Sequence, residues 1–306
     1  MSWTFAHISD IHVGTPRSYR FQPAWAKNWQ TARKQIVELS PDFLLIGGDL
    51  TRDGATHRFE LDQIKADLDN LPFPCYAIPG NHDVGNKYLE GQPHLICARA
   101  VDRFSEVFGS TEWSFEHKGV RFGGFNALLA GSGLPEEERM WSWLEDQARN
   151  QPQGDSVWLL HPTLFMEDPD EPSWDPEADR LEWIYTVDQP HRGRILDALA
   201  AAGATLAITS HVHCRHTLSA RGIRIQASPS TAFSQACSRW IGGDPALGFL
   251  HCRVDGSGIS PEFIPLEQES DAPGYGPGGS PAMADRDYSI AREKPSLLDL
   301  GLDAPM

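Results

Sequence analysis

The chain reads as an α/β protein with parallel strands in its first half and antiparallel hairpins added later. Three observations predict this class. Short apolar runs alternate with amphipathic helical stretches up to about residue 78. Two later pairs of strand-like runs flank tight glycine turns, Lys118-Gly119 and Asp255-Gly-Ser-Gly258. Finally, four of five short polar motifs stand where an apolar run stops, the place where open α/β sheets carry their ligands.

The elements follow in order. Residues 5–9 form the first expected strand. Residues 24–39 place Trp25, Trp29, Ala32 and Ile36 at helical spacing, so one helix face is apolar, and Pro41 ends it. Residues 43–46 form a buried strand running out at Gly47, Gly48 and Asp49. A second amphipathic helix over 56–68 turns Phe59, Ile64 and Leu68 inward. Residues 75–78 form the third strand, leading into Pro79-Gly80-Asn81. Strand and helix in this rhythm imply parallel pairing with helices on the sheet faces. A helix is expected over 94–108, then a hairpin from 113–117 and 120–125. Pro135 and Glu136, Glu137 and Glu138 open another helix, with the acids at its positive end. Residues 157–160 and 206–209 are further buried strands, each leading to histidine, and 249–254 with 259–264 make a second hairpin. No internal repeat is present.

Residues 1–265 therefore read as one unit. Residues 266–306 are a tail or arm in which 272–281, rich in Pro and Gly, suit a linker. The leucines beyond it, Leu297, Leu298, Leu300 and Leu302, would dock on this body or on a second copy if the segment is an arm.

Composition narrows the function classes. With 306 residues, 40% of them hydrophobic, the chain can bury a full core. No apolar stretch reaches the about 20 residues that cross a bilayer, so no membrane partner is expected. A net charge of -16 repels long nucleic acid, whereas a small phosphate ester held by local cations is compatible with it. Five cysteines without paired spacing suit free thiols in a reducing compartment. The first residues already read as a core strand rather than a leader, and together these features point to the cytoplasm.

The motifs are Asp10-Ile-His12, Gly48-Asp49, Gly80-Asn81-His82-Asp83, His161 and His211-Val-His213. They offer three oxygen donors (Asp10, Asp49, Asn81) and four imidazoles (His12, His161, His211, His213), the mixture a two-metal hydrolytic centre needs. Asp10 and His12 require a local turn to reach one ion, and Gly14 leaves room for it. Asp49 is the natural bridge, since one carboxylate between two cations offsets their repulsion.

On these motifs, with Asp53-Gly54, His161-Pro162 and Ser210 added, the chain resembles the calcineurin-like metallophosphoesterases over residues 3–265. Within that superfamily it is most similar to the class III cyclic-nucleotide phosphodiesterase group. The resemblance implies a four-layer αββα sandwich with two mixed β-sheets. It implies that Asp10, His12, Asp49 and His213 bind one metal ion and that Asp49, Asn81, His161 and His211 bind the other. The ions would be Mn, Fe or Zn, since such shells accept all three. The expected reaction is in-line attack on a small phosphodiester, cyclic nucleotides first, by a water shared between the ions, without a phosphoenzyme. His82 would protonate the leaving oxygen, with Asp83 fixing its orientation. Alternatives are a phosphomonoesterase acting on nucleotides or sugar phosphates, and a non-catalytic metal-binding scaffold.

Two departures stand out. Ser210 occupies a position usually held by glycine. Arg52 follows Asp49 by three residues, and Asp83 follows His82, a poorer match to the phosphoprotein phosphatases. Other residues carry open readings. His216 is expected to be structural or to line the pocket, and Cys214 to pack as a small buried side chain. Residues 165–189 form either a solvated loop or a lid. Arg17 and Arg20 are candidates for phosphate contact or exposed loop residues that bind nothing.

Overall fold

Along the central strands, alternate side chains enter two different cores, and this separates the molecule into layers. In strand β1 (Trp3–Ile8), Trp3 and Phe5 join one cluster while Ala6 and Ile8 join another. The computed structural model describes residues 2–14, 22–173, 182–235, 237 and 242–272. Strands β2 (Leu44–Ile46) and β3 (Cys75–Ala77) lie parallel on one side of β1, while β10 (Gly248–Asp255) and β11 (Gly258–Pro265) close the other side antiparallel. The order is β11-β10-β1-β2-β3. A second sheet comprises β4 (Trp113–His117), β5 (Val120–Gly124), β6 (Ser156–Leu159), β7 (Leu206–Thr209), β8 (His216–Ala220) and β9 (Ile223–Ala227). Its order is β4-β5-β6-β7-β9-β8, with a parallel middle and an antiparallel hairpin at each edge.

The inner faces meet through aromatic and branched side chains. Phe5 stacks on Phe43 at 5.5 Å, and Phe122 of the second sheet meets both edge-on at 5.1 and 5.0 Å. Such pairs add about 0.5–1.5 kcal/mol each beyond their buried area. Outside the first sheet, α1 (Pro23–Leu39), α2 (Arg58–Asp69) and α4 (Ala98–Phe108) contribute Trp29, Ile64 and Phe104 to the cluster that holds Ala6 and Leu44. Outside the second, α5 (Pro135–Arg149) and α6 (His191–Ala201) cover Trp158 and Ala207. Helices on both outer faces bury strands that are apolar on both sides, and the result is the αββα sandwich.

Several expectations are corrected. The helix placed over 94–108 begins only at Ala98, because Leu95 bridges Asn86 and Ile96 N–H donates to the Asn86 carbonyl at 2.7 Å. Helix α6 and the β8–β9 hairpin were not anticipated. The hairpin turns at Arg221-Gly222 with φ of 54° and 79°, the same left-handed pair as Lys118-Gly119 at 49° and 83°. Cys214 and Cys237 are not free thiols but a disulfide, with Cα atoms 5.3 Å apart. The cysteines therefore no longer argue for a reducing compartment. Packing also continues past residue 265. Leu266 is buried, and the N–H groups of Glu267 and Ser270 donate to Gln35 and Asn28 of α1. The expected linker lies almost wholly outside the described residues, and the four leucines beyond it entirely so. No helix among the described residues is long and apolar enough to cross a membrane.

Candidate metal centre

The centre forms where β1, β2 and β7 end. At those exits Asp10, His12, Asp49, His211 and His213 have φ of 52°, 48°, 50°, 74° and 50°. Residues two apart in a strand stand about 7 Å from each other. The left-handed steps instead draw Asp10 and His12 onto one point, so the turn expected to rely on Gly14 is made at the ligand positions themselves. Asp and His tolerate this region better than most residues, yet each non-glycine φ of this kind costs about 1 kcal/mol or more.

Donor atoms converge in two groups. Asp10, His12, Asp49 and His213 form one, and Asp49, His161 and His211 the other, each with its atoms within 4.8 Å of one another. His12 Nε2 lies 3.1 Å from His213 Nε2, which lies 3.2 Å from Asp10 Oδ1. Asn81 joins the second group, its Oδ1 3.2 Å from His161 Nε2. The carboxylates and imidazoles are at most 5% exposed. Ions of this class bind N and O donors at about 2.0–2.2 Å, which sets neighbouring donors about 3 Å apart. The observed spacing and donor chemistry fit such ions.

The imidazoles are oriented from behind. His161 Nδ1 donates to Gly47 O at 2.8 Å, His213 Nδ1 to Phe233 O at 2.9 Å, and His211 Nε2 to Ile184 O at 2.9 Å. Each ring thereby turns its other nitrogen toward the centre. His12 is instead walled by aromatic rings, with Trp25 at 5.8 Å and Phe233 at 5.3 Å. Charge follows the same arrangement. Burial alone would raise Asp49, but His161 and His82 beside it hold its carboxyl well below the usual range. Burial alone would lower His161, but Asp49 outweighs it and raises that ring to about 9. His211 is pushed down to about 3 by burial and by the neighbouring His161.

Glycines permit the close approach. A Cβ on Gly80 would lie 2.2 Å from both Asp49 N and Asp49 Oδ1, and one on Gly48 would lie 2.5 Å from His161 Nδ1. Gly47 also explains why Ser210 is accommodated: a Cβ there would lie 2.5 Å from Ser210 Oγ.

Asp83 stands apart from its expected role. It accepts from the N–H groups of Leu50, Thr51 and Gly80 at 3.1, 3.0 and 2.9 Å and from Thr51 Oγ1 at 2.7 Å. It therefore clamps the loop after Asp49, and burial with the nearby Asp49 charge raises it to about 6. His82, on the short helix α3 (Asn81–Val84), is oriented otherwise. Its backbone N–H donates to Asp49 Oδ1 at 2.8 Å and its Nδ1 to Arg52 O at 2.8 Å. Arg52 Nη1 lies 3.3 Å from both ring nitrogens.

Sequence reasoning missed three neighbours of the centre: Arg52, read only as a departure from a motif, Trp25, read as a core position, and Phe233. Trp25 stacks on Phe233 at 4.9 Å, and Phe233 meets His213 at 4.3 Å. No motif spacing marks Phe233. His216 is not among the converging donors. It lines a cleft of about 450 Å³ with Arg215, Arg224 and Gln226, and burial lowers it to about 4. Of residues 165–189, the two ends are packed, with Met166, Trp183, Tyr185 and Val187 buried, whereas most of 167–173 is exposed. Arg17, Arg20 and Trp174 lie outside the described residues.

Comparison with known proteins accords with this geometry. Residues 4–215 match the family model described as calcineurin-like phosphoesterase. The chain is similar to a 3′,5′-cyclic-nucleotide phosphodiesterase of Nostoc sp., 27% identical over 86% of this chain and 95% of the relative. It is also similar to the serine/threonine-protein phosphatase CPPED1 of Pongo abelii, 25% identical over 56% of this chain and 54% of that protein. Among solved structures, the purple acid phosphatase PPD1 of yellow lupin (Lupinus luteus) shares the fold with a TM-score of 0.59 at 14% identity, covering 100% of this chain and 57% of that one. The chain belongs to the calcineurin-like phosphoesterase family. It is a metal-dependent phosphoric ester hydrolase.

Proposed function

We propose that the chain hydrolyses small phosphodiesters, 3′,5′-cyclic nucleotides first, at a centre of two metal ions. Asp10, His12, Asp49 and His213 would hold one ion, and Asp49, Asn81, His161 and His211 the other. One observation carries this reading. Asp49 Oδ2 lies 3.6 Å from His12 Nε2 and 3.4 Å from His161 Nε2, so a single oxygen faces both donor groups.

Ions held there supply Lewis acidity toward phosphate oxygens and a water of lowered pKa. The rest falls to side chains. His82 gives its Nδ1 hydrogen to Arg52 O, which leaves Nε2 to carry the proton delivered to the leaving oxygen. Arg52 adds a fixed positive charge beside that ring, favouring the phosphate as negative charge develops. Trp25 and Phe233 form an apolar wall that keeps water from His12 and His213. Similarity to a phosphodiesterase across nearly its whole length supports the diester assignment.

A second reading, phosphomonoester hydrolysis, draws support from the phosphatase-named relative. Turnover of 3′,5′-cyclic AMP, bis-nitrophenyl phosphate and nitrophenyl phosphate by Mn²⁺-loaded protein tests both. Diester cleavage is expected to dominate. Strong monoester cleavage with negligible diester turnover would overturn the assignment, and ion uptake without turnover of any ester would leave a scaffold.

A further inference from the structure

Two ligands of the second donor group are braced by residues that no motif contains, and both braces start from one dipeptide. Asn81 Nδ2 donates to Asn86 Oδ1 at 2.9 Å, which turns Asn81 Oδ1 toward His161. Asn86 is itself held on both sides: its N–H donates to His94 O, and its carbonyl accepts from Ile96 N–H, each at 2.7 Å. Gly85 makes this turn possible with φ 100°, where a Cβ would meet Leu95 O at 2.6 Å. The next residue, Lys87, is 6% exposed. Its Nζ donates to Thr186 O at 2.7 Å and pairs with Asp188 Oδ2 at 2.8 Å. That segment supplies the Ile184 carbonyl accepting from His211 Nε2. It is also tied to the exit beyond His161, because Val187 N–H donates to Thr163 O at 3.2 Å.

We infer that Asn86 and Lys87 are a positioning pair for the second ion alone, Asn86 through Asn81 and Lys87 through the 184–188 segment and His211. The inference rests on the two-ion reading of the centre. Its physical basis is specific at each end. A side-chain amide can turn over and present NH₂ where a ligand oxygen is needed, and an acceptor at Asn86 excludes that orientation. A buried ammonium is costly unless paired, so Lys87 holds Thr186 and Asp188 in one place or remains unsatisfied. The first group is braced elsewhere. His213 donates to Phe233 O, and Ser230 Oγ donates to Asp10 O at 2.8 Å.

Calorimetric titration of the metal-free full chain with Mn²⁺ tests this. Wild type is expected to take up two ions. Asn86→Leu and Lys87→Met should each weaken one ion by about 10–100-fold, the usual effect of losing an outer partner of a metal ligand, and leave the other unchanged. Asn86→Asp keeps an acceptor and should keep both ions. In a His161→Ala background, where the second group is already broken, Lys87→Met should change nothing further. Unaltered affinities in both variants, or equal weakening of both ions, would overturn the inference. If Lys87→Met fails to fold, the Asn86 pair decides, because that side chain is only half-buried. A wild-type chain that binds fewer than two ions overturns the two-ion reading itself, whereas two ions with indifferent variants overturn only the positioning role.

Discussion

Around His12 and His213 the donors owe their place to the strand exits themselves: Asp10, His12 and His213 all sit in left-handed backbone. Around His161 and His211 the donors depend more on reach, although His211 shares that left-handed backbone. Asn81 leans on Asn86, and His211 leans on Ile184, in a segment held by Lys87. The groups meet at Asp49 and in one further contact, where His211 N–H donates to Asp10 at 3.2 Å. One half of the site is built by short motifs and local strain. The other is built by side chains that bring separate loops together, so it should be the half that substitutions outside the motifs disturb.

The largest expected effect comes from removing what both halves share. Asp49→Ala should release both ions and lower turnover by at least about 10³-fold, as loss of a central electrostatic element does. Metal analysis checks it, and one ion retained at full affinity would mean that the halves do not share this residue. Next comes His82→Ala, which should keep both ions yet lose about 10²–10⁴-fold in rate, the span of general acid catalysis. Ion loss equal to that of Asp49→Ala would make His82 a ligand and redraw the comparison.

A smaller effect is expected at Gly80, which lies against the shared Asp49. Gly80→Ala forces a methyl group against Asp49 and should destabilise the fold by about 1–3 kcal/mol, read from chemical denaturation. An unchanged midpoint would show that the helix carrying Asn81 can shift without disturbing Asp49.

The smallest effect concerns His7, which lies behind the exits and bonds to Ser228 Oγ at 3.1 Å. Burial lowers its pKa to about 3, with Asp10 opposing. The folded form keeps the ring neutral, while the unfolded chain takes up a proton below its ordinary value of 6.5. Its contribution to stability is thus complete above that pH and is lost as pH falls toward about 3, by at most about 1.4 kcal/mol per unit. His7→Gln should flatten the acid limb of a stability–pH curve, and an identical limb would remove His7 from the account.

Legibility in the sequence followed the physics of each feature. The seven candidate donors and the alternating first half were readable because ligand type and apolar period are local properties. The β8–β9 hairpin was missed although Arg221-Gly222 repeats the turn already read at Lys118-Gly119; that signal was available. Helix α6 was likewise missed although Ile195, Leu196 and Leu199 stand at helical spacing on its buried face. Asp83 was misassigned because adjacency to His82 suggested contact, whereas the helical turn sends its carboxylate to Leu50, Thr51 and Gly80. Cys214 and Cys237 gave no warning of pairing, since a separation of 23 residues carries no signature of its own.

By itself, the sequence determined which atoms could bind metal and the kind of sheet that would carry them, because residue type and periodicity dictate both. Only the tertiary structure decided that Arg52 stands beside His82 and that Asn86 and Lys87 stand behind the ligands. His12 and His213 touch although 201 positions separate them. Contacts of that kind arise from the packing of two sheets against one another, which no local pattern of residues encodes.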